Sequence, residues 1–150
     1  MTLRDVLLTL HIAGAGTWLG ANVVQAVVPP AAARAGQQTL AGWYRITSVL
    51  ARRLYMPAAV LVLLTGIFMV LGSDSYSFGS TFVTIGFAMI VVGAVLGMVV
   101  FGPGGEKAAD ALETGDQGAA QAATSRLARW GVLDTLLLLV TIMAMVLRLD

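Results

Sequence analysis

The chain has 150 residues, 58% of them hydrophobic and 11% charged, with a net charge of +1 and no cysteine. Soluble domains carry about 25% charged residues, so this chain has too few to cover a water-facing surface, and the same apolar excess excludes intrinsic disorder. The near-neutral charge excludes a polybasic nucleic-acid surface, and the lack of cysteine excludes disulfides, thiolate metal sites, iron–sulfur clusters and cysteine nucleophiles. The expectation is therefore one integral membrane domain over residues 1–150, solvated by the lipid bilayer.

Four apolar runs match the roughly 20 residues that a helix needs to cross a bilayer: 5–28, 54–72, 80–101 and 127–147. Helices satisfy their own backbone in lipid, and no polar–apolar alternation suggests a barrel. The predicted fold is all-α, an antiparallel bundle of four transmembrane helices. The first run is expected to stop at Pro29-Pro30 and the third at Gly102-Pro103-Gly104-Gly105. A cleaved signal peptide is disfavoured, because the first run is long and carries His11, Trp18, Asn22 and Gln25.

The first span is the most informative. At about 100° per residue, His11, Trp18, Asn22 and Gln25 fall within about 60° of one another. A polar stripe next to lipid is unfavourable, so it should face the bundle or a partner. Gly16 and Gly20 form a GxxxG pair on the other face, which permits close helix contact. His11 is the only histidine. It can ligate haem iron or copper or relay a proton, or it can make an interhelical hydrogen bond to a carbonyl, Ser or Thr.

Between the first two spans, residues 38–54 are expected to form a cytoplasmic, interfacial helical extension that runs into the second span. Its arginines would lie near lipid headgroups, with Trp43 and Tyr44 at the same interface. Pro57 predicts a kink or a first-turn position. In the third span Gly86, Gly93 and Gly97 share a face suited to close packing, and Thr65-Gly66 in the second follows the same logic. Residues 108–126, with a Gly115-Asp116 break, are expected to be a mobile, partly helical loop. In the fourth span, Asp134 is expected to pair with an arginine at the same membrane level, Arg45, Arg52 or Arg53, tying the fourth span to the second; a proton relay is the alternative. Met143 and Met145 point to different helix faces, and Met56 or Met89 can serve as a single soft metal ligand.

Seven basic residues (Arg34, Arg45, Arg52, Arg53, Lys107, Arg126, Arg129) fall on one side of the spans and two (Arg4, Arg148) on the other. The positive-inside rule then places both termini outside and both long connections in the cytoplasm. No P-loop, HExxH or GxSxG motif occurs, and His11 has no evident nucleophile with which to form a triad.

The run Leu10-His11-Ile12-Ala13-Gly14-Ala15-Gly16-Thr17-Trp18-Leu19-Gly20 resembles the first-helix signature of small four-helix bacterial membrane proteins. Arg52-Arg53-Leu54-Tyr55-Met56-Pro57, followed by Leu64-Thr65-Gly66, resembles their second-helix pattern. These features are similar to CopD-like copper-resistance domains, HemJ-type protoporphyrinogen oxidases and, most of all, a related uncharacterised integral membrane family. The resemblance implies a bacterial plasma-membrane protein that binds or handles haem b or porphyrin through His11, with Trp18 and Asn22 lining the site. The HemJ-type membrane lysine has no counterpart, since the only lysine, Lys107, lies in a connection, so the oxidase signature is incomplete and full oxidase activity is not expected. Two alternatives stand beside haem: a non-catalytic accessory or assembly subunit, meeting a membrane-protein partner or a second copy, and copper uptake with His11 as the metal ligand.

Overall fold

The computed structural model describes residues 2–148. They form four helical rods, Leu3–Ala35, Gln37–Leu71, Thr81–Thr114 and Gln117–Leu147. At 1.5 Å per residue the rods are about 46–52 Å long, well beyond a hydrocarbon core of about 30 Å. They alternate in direction. The helix ends at Leu3 and Leu147 and the 72–80 connector share one end; the turns at Gly36 and Gly115-Asp116 share the other, which we call the extended end.

The first rod is α1 (Leu3–Ala35). The second is α2 (Gln37–Leu50) and α3 (Met56–Leu71), joined by the π-helical segment Ala51–Tyr55. The third is α4 (Thr81–Leu96) and α5 (Gly102–Thr114), joined by the π-helical segment Gly97–Phe101, and the fourth is α6 (Gln117–Leu147). Each π segment ends two residues before a proline, Pro57 or Pro103. A proline ring collides with the carbonyl four residues back and cannot bond to it. Widening the coil by one residue displaces that carbonyl, and the N–H groups of Met56 and Gly102 bond five residues back, to Ala51 and Gly97. The kink expected at Pro57 is therefore absorbed as a π segment.

Two expected breaks are not breaks, and the expected break at Gly115-Asp116 lies within a hairpin. Pro29 and Pro30 lie inside α1, which runs on to Ala35 and stops at Gly36 with φ +127°. Past the hydrocarbon, water can serve the carbonyls that the prolines leave free, so the helix has no reason to stop there. Gly102-Pro103-Gly104-Gly105 lies inside the third rod because its glycines are contact points. A Cβ on Gly104 would meet Leu127 Cδ2 at 2.7 Å, and one on Gly105 would meet Thr47 Oγ1 at 2.7 Å. The 108–126 segment is a helical hairpin, not a mobile loop. It turns at Gly115 in the left-handed region (φ +78°), and Asp116 caps α6 by accepting the Ala119 N–H at 3.0 Å.

The helical extension before the second span is present as α2. It packs on α5, and α5 on α6, around a core in which Tyr44 and Leu112 sit among the alanines Ala41, Ala108, Ala109 and Ala120. Arg45 locks this end. Its guanidinium donates to both oxygens of Glu113, at 3.1 and 2.7 Å, and to Asp110. The Glu113 and Asp110 hydrogen bonds push the Arg45 guanidinium above its ordinary range, and the Arg45 bond holds the Glu113 carboxyl below its own.

Within the span region the helices contact in the order α3–α1–α6–α4, and α3 and α4, adjacent in sequence, barely touch. The interior is narrow. Trp18, Met89 and Leu138 form its apolar centre, while large side chains such as Val27, Phe68, Val91 and Leu136 are more than half exposed. In water that surface would aggregate; in hydrocarbon it is the solvated face.

Candidate functional site

The stripe on α1 faces inward. His11, Trp18 and Asn22 are buried between α3, α4 and α6, and Gln25 is half-buried. Two linked sites result.

The first surrounds His11. Nδ1 lies 3.0 Å from Thr65 Oγ1, across the α1–α3 contact. The Thr65 hydroxyl donates its one proton to the Leu61 carbonyl at 2.6 Å, so its lone pair accepts from His11 Nδ1–H. This network assigns the proton to Nδ1 and leaves Nε2 with a lone pair. Gly66 adjoins the ring: a Cβ there would sit 3.4 Å from His11 Cε1, an ordinary van der Waals contact. The Thr65-Gly66 pair therefore borders the imidazole, with Thr65 bonding the ring and Gly66 beside it.

His11 lines a small chamber of about 30 Å³ that also receives Trp18, Met89, Thr141 and Met145. Gly86 shapes its wall, since a Cβ there would meet Met145 Cε at 2.4 Å. Met145 was readable as lying on a different face from Met143. That it joins Met89 and His11 follows only from how α4 and α6 pack. No group of three or more His, Asp or Glu side chains that could hold a metal occurs among the described residues; the lining residues of this chamber include His11, Met89 and Met145, whose side chains carry nitrogen or sulfur.

The second site lies about two to three turns further along α1. Asp134 is 3% exposed. Its Oδ2 accepts from Asn22 Nδ2 at 2.8 Å and from Trp18 Nε1 at 3.3 Å. Tyr55, from the π segment, donates its hydroxyl to Asn22 Oδ1 at 2.9 Å. Asp134 Oδ1 is buried and accepts from no protein group among the described residues. Arg52 and Arg53, expected as its partners, are exposed on the second rod, and Arg52 Nε donates to the Ser48 carbonyl. The salt bridges among the described residues are those of Arg45 with Asp110 and Glu113. Asp134 still ties α6 to its neighbours, but through neutral donors on α1.

Trp18 joins the two sites. Its indole N–H reaches Asp134 while its ring lines the chamber and lies against Gly93, where a Cβ would meet Cζ2 at 2.4 Å and Cη2 at 2.5 Å. Of the third-span glycine face, Gly86 and Gly93 are used in this way, and Gly97 has nothing within 4 Å. Sequence reading missed Thr65, Tyr55 and Met145 as members of one constellation. Their signals were the TG pair, the tyrosine beside Pro57, and a methionine on the inward face of the last span.

Residues 5–149 match the model of a family described as predicted integral membrane protein (DUF2269), and the chain belongs to that family. No curated protein and no solved structure matches it.

Proposed function

We propose that this member of the DUF2269 family handles copper in the membrane by holding one Cu(I) ion in the chamber beside His11. The observation that carries the reading is the lining of that chamber of about 30 Å³, to which His11, Met89 and Met145 all contribute. Imidazole and thioether are the soft, neutral donors that favour Cu(I) over harder cations. His11, Met89 and Met145 would hold the ion, and the protein would supply a dry site from which it could be passed on. A monovalent ion with neutral ligands brings its charge into a low-dielectric interior, and Asp134, hydrogen-bonded to the Trp18 that walls the chamber, supplies a nearby counter-charge. The positive-inside bias supports placing the extended end in the cytoplasm and the chamber toward the opposite face.

Haem fits this space poorly. Cofactor pockets run to about 300–1,000 Å³, whereas about 30 Å³ admits only water-sized groups. No haem chemistry is assigned to His11.

The test is anaerobic titration of detergent-purified protein with Cu(I) against a colorimetric chelator, with the single histidine ¹⁵N-labelled. One ion per chain is expected, with a shift of the Nε2 resonance. His11→Ala is expected to abolish binding, and Met89→Leu or Met145→Leu to weaken it on the order of tenfold or more. Failure to compete with the chelator, or binding untouched by both methionine changes, overturns the reading.

A second reading, an assembly subunit, is supported by the α1 face that carries Gly16 and Gly20. Both are exposed, and a Cβ on either would meet nothing within 4 Å, so this GxxxG pair has no partner among the described residues. A complex isolated in gentle detergent, and lost in the Gly16→Leu/Gly20→Leu double variant, is the expected result. A monomer in both forms removes this reading.

A further inference from the structure

We propose that the outer face of α6 binds an anionic phospholipid, with Arg126 and Arg129 on its phosphate and the acyl chains along the apolar stripe beyond them. The stripe is read from the helical period. Residues 122, 126, 129, 133, 136, 140, 143 and 147 follow one another at intervals of three or four, the spacing of a single face. All are exposed. The upper members are Ala122, Arg126 and Arg129; the lower are Leu133, Leu136, Val140, Met143 and Leu147. One surface therefore changes from cationic to wholly apolar along its length.

The dimensions suit a bilayer. From Trp130 to Leu147 the helix rises about 26 Å, close to the hydrocarbon thickness of about 30 Å. Arg126 and Arg129 then lie at headgroup depth, with Trp130 at the boundary where indoles concentrate.

The face also has room for a headgroup. An open depression of about 620 Å³ lies over Gly118, Gln121, Ala122, Ser125, Arg126, Arg129 and Trp130. Three of these have side chains no larger than a hydroxymethyl, which leaves the guanidiniums uncovered. Neither arginine takes part in the salt bridges found among the described residues, which belong to Arg45. The nearest acids on α6 are engaged: Asp116 caps the helix and Asp134 is buried against α1. Two guanidiniums one turn apart, facing an unfilled depression at headgroup depth, match a phosphate through charge-assisted, fork-like bonds. Arg52 and Arg53 provide an internal comparison. They are also exposed and lie about 27 Å from the far end of α3, but they do not line this depression.

The experiment is native mass spectrometry of the full chain released from detergent, titrated with phosphatidylglycerol or phosphatidylcholine. The variants are Arg126→Gln/Arg129→Gln and Arg52→Gln/Arg53→Gln, each checked for unchanged melting. The wild type is expected to retain phosphatidylglycerol in preference to phosphatidylcholine. The α6 pair should lose that preference on the order of tenfold, as two surface cations warrant, and the Arg52/Arg53 pair should keep it. Equal losses in both variants would reduce the effect to general surface charge and overturn the proposal, as would the absence of any headgroup preference. Displacement of the lipid by free glycerol phosphate at comparable concentration would also overturn it, since a phosphate site alone would then suffice.

Discussion

Gly93→Ala is expected to destabilise the detergent-solubilised protein by about 1–3 kcal/mol, a magnitude typical of overpacking a tight interior. The helix itself would gain from the change, since alanine is favoured over glycine by about 1 kcal/mol in a helix. Packing outweighs that gain. The new methyl would lie 2.4–2.5 Å from two carbons of the Trp18 ring. That ring is not a loose end: it sits in the apolar centre beside Met89 and Leu138, and its N–H is committed to Asp134 at 3.3 Å. Moving it far enough to accept the methyl lengthens a hydrogen bond that is already long.

Gly86→Ala creates an equally close approach, 2.4 Å, but to the terminal methyl of Met145, which can rotate away. It is expected to be near neutral. Gly16→Ala meets nothing and is expected to be neutral or stabilising. Thermal melts of the three variants in one detergent test the order. If Gly93→Ala melts with Gly86→Ala, Trp18 is free to move and the coupling of the two sites through it is lost.

Asp134→Ala should produce a loss of about 1–3 kcal/mol. It leaves the Trp18 indole N–H and one Asn22 amide N–H without an acceptor in a buried site. Orphaned buried donors cost about 1–3 kcal/mol each in soluble proteins, but side-chain hydrogen bonds within membranes average about 0.6 kcal/mol and reach about 1.7. The lower scale governs here. Asp134→Asn keeps an acceptor oxygen for both donors and is expected to lose clearly less. A double-mutant cycle with Asn22→Ala should give a coupling of about 0.6–1.7 kcal/mol. The Arg52→Gln/Arg53→Gln pair should leave stability unchanged. If it matched Asp134→Ala instead, the ion pair suggested by membrane level alone would be restored and the neutral-donor network displaced.

These cases mark how far residue order reaches. The inward stripe on α1 was legible because 3.6 residues per turn places His11, Trp18 and Asn22 together whatever surrounds them. Asp134 was legible as a buried charge, since its run is otherwise apolar. Its partner was not. Arg52 and Arg53 lie at a similar depth, so depth made them candidates, but the rotation of the second rod turns them outward. The continuous rods were misread at Pro29-Pro30 and at the glycine run after Phe101. Residues that break helices in isolation are here held by contacts with other helices: Gly104 against Leu127, and Gly105 against Thr47.

What the sequence determined alone is the medium and the scale. So few charges on so apolar a chain require lipid, and the lengths of four runs set where the chain crosses it. Which helix touches which was decided only in the tertiary structure, where the order α3–α1–α6–α4 brings Thr65 to His11 and Asp134 to Asn22. The physical reason is that hydrocarbon solvates every apolar face equally well. Burial therefore does not choose neighbours, and the choice falls to many small shape and hydrogen-bond terms that exist only once the helices have met.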